Sequence, residues 1–163
     1  MAAARSLPFF TIVATSTLFA LILAVVPLPM DYASLRPEML CLVVIYWIIH
    51  MPQRIGMLYA WCVGLAQDVI ETNIWGAHGM ALVVIAYICL LSYQRLQNYS
   101  IWHQALWIFI FVGLHQVIVN WVHGLVGYNS EPHELILSTV SSALCWPLVV
   151  IILGYIRRIY RVS

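Results

Sequence analysis

Between Pro8 and Pro27 run eighteen consecutive residues, 9–26, with no charge and no side chain more polar than a hydroxyl. A hydrocarbon core about 30 Å thick is crossed by about 20 apolar residues in a helix, within a range of about 17–25. Five more apolar segments follow, at 39–51, 55–70, 74–93, 101–122 and 135–156. Six such segments in 163 residues leave almost no chain for anything else. Apolar residues make up 64% of the whole and charged residues 8%, against about 45–50% and about 25% in soluble domains. So few charges cannot cover a water-facing surface of this size. The segments are continuous runs without the alternation of barrel strands. The expected fold is therefore all-α: a polytopic membrane helical bundle of about six spans, forming one integral membrane domain over 1–163.

The segments are not equivalent. The second is fenced by Pro37 and Pro52, and the third carries Gln67 and Asp68 near its end, so both are short or less apolar. They are expected to form a helical hairpin, because a re-entrant pair would strand Arg54 away from water. Pro147 lies inside the sixth segment and predicts a bend near Trp146. Arg5 ahead of the first span also fits a secretory leader; the spans that follow favour an anchor. With the N-terminus inside, Arg5, Arg54, Arg95, Arg157, Arg158 and Arg161 fall on the inner side and only Arg36 outside. The acids Asp31, Glu38, Asp68, Glu71, Glu131 and Glu134 all fall at or near the outer face. By the positive-inside rule both termini are cytoplasmic.

Several function classes drop out. A net charge of +1, no lysine and no basic run leave nothing to hold a nucleic-acid backbone. Cys41, Cys62, Cys89 and Cys145 sit singly in apolar segments and read as buried thiols. His133-Glu134 is followed by Leu137 where a zinc protease helix needs its second histidine. His78, His123 and His133 share the outer face with Glu131, too weak a pattern for a metal site. No catalytic constellation and no cofactor site is expected.

Two constellations stand out. Gly56, Ala60, Gly64 and Asp68 recur every four residues on the third segment, a small-residue seam along which a neighbouring helix can approach closely. A carboxylate in a membrane segment is a candidate functional residue, and Arg36 is its expected partner at the outer end of the hairpin. On the fifth segment Gln116, Asn120 and His123 lie on one helical face with His115 beside them. That stripe reads as hydrogen bonding to Ser138, Thr139, Ser141 and Ser142 of the sixth segment rather than as a proton or substrate path, since a path would need acids at the bilayer centre.

The order of short motifs resembles one family. Leu35-Arg36-Pro37, Tyr46-Trp47, Pro52-Gln53-Arg54-Ile55-Gly56, Gly64-Leu65 with Asp68, then Gly76 and Gly79 are followed by Arg95-Leu96, Trp102-His103-Gln104-Ala105-Leu106, Trp121 and Leu144-Cys145-Trp146-Pro147-Leu148. Across nearly the whole chain this is similar to the bacterial rod shape-determining MreD family. The resemblance implies a small, non-enzymatic inner-membrane subunit of the cell-elongation machinery. It would bind MreC and act with MreB, RodZ, the RodA glycosyltransferase and its penicillin-binding transpeptidase in peptidoglycan synthesis. Glu71-Thr72-Asn73 stands where a glycine is expected soon after the aspartate. A likeness of such folds to the substrate-binding subunits of vitamin transporters leaves an alternative open, a small-molecule-binding or transport subunit.

Overall fold

The structure, a computed structural model, describes residues 3–26, 35–71, 76–127 and 132–160. They form six helices: α1 (Ala3–Val25), α2 (Met39–His50), α3 (Met57–Ile70), α4 (Ala77–Asn98), α5 (Ile101–Leu125) and α6 (Pro132–Ile159). Each apolar segment carries one of them. α4, α5 and α6 have 22, 25 and 28 residues and are each long and apolar enough to cross a membrane. The apolar stretch Phe9–Val25 of α1, and the whole of α2 and α3, are shorter. α6 continues through Pro147 as one helix.

Twelve residues of α2 rise only about 18 Å, well under the hydrocarbon thickness. The helix is apolar on every side, and a helix of that kind too short to span alone is suited to a core. Its residues Leu40 to Ile49 are all buried, enclosed by α1, α4, α6 and, over a smaller contact, α5. Phe9 of α1 meets Trp47 edge to face, and Tyr46 lies against Trp146 of α6. Trp47 donates its indole N–H to Ser16 Oγ at 3.0 Å, so the large ring is buried with its polar end satisfied.

The expected α2–α3 hairpin is not what forms. α3 lies chiefly against α4, because its small-residue face matches a small residue there: Gly64 meets Gly79 so closely that a Cβ on Gly64 would stand 2.5 Å from the Gly79 Cα. Ala60, one turn away, is fully buried. Gly56 is not part of the contact. It is the N-cap of α3, and nothing lies within 4 Å of where its Cβ would be.

Charge separates along the bundle. Arg54 lies in the turn after α2, and Arg95, Arg157 and Arg158 close α4 and α6. Glu38, Asp68, Glu71 and Glu134 stand at the other end. The side chain of Arg5 and residues Asp31, Thr72, Asn73, Glu131 and Arg161 lie outside the described residues. Cys41 and Cys89 are buried thiols and Cys145 is half-buried, whereas Cys62 is exposed on the outer flank of α3.

Candidate functional site

The acidic end holds the densest polar network. α3 finishes beside the start of α4, so the Asp68 carboxylate faces the first N–H groups of α4. Oδ2 accepts from Gly76 N at 2.9 Å and Gly79 N at 3.3 Å. Oδ1 accepts from His78 N at 3.1 Å and His78 Nδ1 at 2.9 Å. Helix N-termini carry unsatisfied donors and the positive end of the helix dipole, so a carboxylate is the natural group there. Gly76 enters the helix at φ +99°, a conformation L side chains rarely adopt.

Asp68 therefore does not pair with Arg36. Arg36 points toward α1 and donates from Nη2 to the Leu23 carbonyl at 2.7 Å. That carbonyl lies in the last turn of α1, one of the orphan acceptors at a helix C-terminus, where a cation is favoured. The pairing would require α2 and α3 to form a hairpin; with α3 on α4, the N-terminus of α4 supplies what the arginine would have.

The strap from Arg36 to Glu38, just before α2, is tied to α5 and α6. Ser138 donates to the Arg36 carbonyl at 2.8 Å, and the Glu38 N–H donates to Ser142 Oγ at 2.9 Å. Gln116 donates from Nε2 to Ser138 Oγ at 3.1 Å and to Glu38 Oε1 at 3.0 Å. The α5 polar stripe thus meets α6 as expected, and also reaches an acid not anticipated as its partner. Burial raises the Glu38 carboxyl above its usual value; the charges of His78 and Arg36 and the Gln116 hydrogen bond oppose that rise. Asn120, one turn beyond Gln116, is half-buried.

Two histidines of α5, His115 and His123, gather around His78. The His115 ring lies 5.6 Å from it and the His123 ring 6.3 Å, centroid to centroid. Glu71 Oε2 is 3.9 Å from His78 Nε2, and Glu71 Oε1 accepts from Gln67 Nε2 at 2.9 Å. Acids and histidines absent from any single segment are therefore brought together by folding. His133 is exposed at the start of α6. Among the described residues no three His, Cys, Asp or Glu side chains stand in a metal-holding group. A cavity of about 460 Å³ opens beside the strap, lined on its polar side by Arg36, Glu38, Gln67 and Glu71.

Residues 4–156 match the family model of the rod shape-determining protein MreD. The chain belongs to the MreD family. Similar to it is the rod shape-determining protein MreD of Haemophilus influenzae (strain ATCC 51907 / DSM 11121 / KW20 / Rd), 30% identical over 152 residues that make up 93% of each chain. No solved structure matches the chain.

In this MreD family member, two motifs distant in sequence meet at the arginine-bearing end. Trp146 donates its indole N–H to Gln104 Oε1 at 3.2 Å, and Gln104 Nε2 donates to the Leu96 carbonyl at 2.9 Å. One amide thus fastens α4, α5 and α6 together. Interhelical hydrogen bonds of this kind fasten membrane helices that have no hydrophobic drive to associate.

His115 departs from these satisfied networks. It is 1% exposed, and among the described residues neither ring nitrogen has a hydrogen-bond partner, as is also true of Tyr46 Oη and His123 Nε2. Replacing an unsatisfied buried polar group by an apolar one of similar shape is neutral or stabilising. His115→Phe is expected to leave the thermal midpoint in detergent unchanged or to raise it. A clear fall in midpoint would mean that the imidazole is bonded in the native protein.

Proposed function

We propose that the chain is a non-enzymatic inner-membrane scaffold of the cell-elongation complex that binds MreC, with both termini cytoplasmic. Family membership supports this reading. So does the use made of the polar interior: Asp68, Gln104 and Gln116 each join one helix to another. A bundle so fastened offers a partner a firm surface. The orientation follows from the arginines, six on one side and one on the other.

Tagged full-length chain, extracted in mild detergent, is expected to retain MreC, and through it RodA, the penicillin-binding transpeptidase, RodZ and MreB. Recovery of a vitamin-transport energising module without MreC would overturn the proposal. It would favour the second reading, a small-molecule-binding subunit, for which the cavity beside Arg36 speaks: its volume lies within the range of about 300–1,000 Å³ usual for ligand sites.

A further inference from the structure

Along one flank of the bundle, from Met39 beside the strap to Tyr160 at the arginine-bearing end, α1 and α6 do not close on each other. Between them runs a groove of about 650 Å³ whose floor is α2, at Met39 and Val43. Its walls are Ile12 and Phe19 of α1 and Val149, Ile152 and Ile156 of α6. We infer that this groove is a binding site for an anionic phospholipid, with the acyl chains in the α1–α6 groove and the phosphate at Arg157.

Three observations converge on that occupant. The first is shape. Lining residues extend from Thr11 to Phe19 on α1 and from Leu148 to Tyr160 on α6, or roughly 12–18 Å of helix rise. An apolar groove of that length, open along one side, suits flexible chains.

The second is the chemistry of the walls. Thr15 and Ser16 line the groove, but their hydroxyls turn back to the Ile12 and Val13 carbonyls at 3.1 and 2.9 Å. Turned inward, they leave a surface on which hydrocarbon loses nothing.

The third is charge. Leu153 lines the groove, and Arg157 stands one turn beyond it on the same helical face. Arg157 is half-buried and Arg158 exposed. Among the described residues the acids lie at the other end of the bundle, so nothing there competes with a phosphate. A basic helix end beside an apolar slot is the pattern by which membrane proteins hold anionic headgroups.

Native mass spectrometry of the full chain, with phosphatidylglycerol or phosphatidylcholine of matched acyl chains added in detergent, tests the assignment. Wild type is expected to retain phosphatidylglycerol with a preference of about five-fold, from one arginine near the phosphate. Arg157→Gln should abolish the preference while phosphatidylcholine binding persists. Arg95→Gln, which removes a charge from the end of α4, should keep it. Ile152→Trp, which fills the slot, should reduce retention of both lipids; should that variant fail to fold, the Arg157 variant decides. Absence of a headgroup preference in wild type would overturn the assignment. So would its survival in Arg157→Gln, its equal loss in Arg95→Gln, or a polypeptide held in the groove.

Discussion

Asp68→Ala is expected to lower stability in detergent by about 3–5 kcal/mol, the range for breaking a buried charged pair from one side. The aspartate is 1% exposed, and its two oxygens take three backbone N–H groups and one imidazole N–H. Alanine removes all four acceptor contacts and leaves those donors facing a site with little water. Asp68→Asn should lose less, because one oxygen remains to accept. Arg36→Ala removes a different bond, to the Leu23 carbonyl, so the double variant should lose the sum of the single losses within about 0.5 kcal/mol. Protein level and the thermal midpoint across the four-member cycle check this. A wild-type midpoint for Asp68→Ala would remove the aspartate from the joint. Strong non-additivity with Arg36 would mean that the two carboxylate and guanidinium groups interact after all.

The all-helical fold and the six elements were legible because each helix is a long apolar run, and length with composition needs no knowledge of neighbours. The arrangement of the helices was less legible. Adjacent segments are the default neighbours, which made a hairpin of α2 and α3 the natural reading, yet α2 is apolar all round and belongs at the centre. Gly64 was recognisable from its spacing with Ala60, but not its counterpart: Gly79 is one glycine in a different segment, and only the fold brings it opposite. The tie between Asp68 and the start of α4 does have a signal in the sequence. An acid shortly before Gly76-Ala77-His78-Gly79 is an anion placed to meet a glycine-led helix N-terminus. Gln116 with Ser138 was legible because a polar stripe in hydrocarbon must find hydroxyls. Its second partner, Glu38, lies 78 residues away at the start of another segment, and only the fold brings the two together.

The close crossing of α3 and α4 carries the other large expectation. Gly64→Ala is expected to destabilise by about 1–3 kcal/mol, and Gly64→Leu by more, as overpacking does in well-packed interiors. A Cβ at position 64 would stand 2.5 Å from Gly79 Cα, 2.7 Å from Gly79 N and 2.8 Å from the His78 carbonyl carbon. All three are backbone atoms, so no rotamer change relieves the overlap and the helices must part. Parting them moves the very N–H groups that Asp68 holds, so the damage should spread to that joint. The sign is informative, because alanine alone favours a helix interior over glycine by about 1 kcal/mol. Gly56→Ala is the matched control: its surroundings are open and its φ of −129° suits any residue, so it should shift stability by no more than about 0.5 kcal/mol. Gly79→Ala is intermediate, since its Cβ would first meet the flexible Leu65 side chain at 3.4 Å. Thermal midpoints in detergent and copurification of MreC, measured together for the three alanine variants, should rank Gly64 as most damaging and Gly56 as least. A Gly64→Ala protein as stable as wild type would show that α3 and α4 do not touch there.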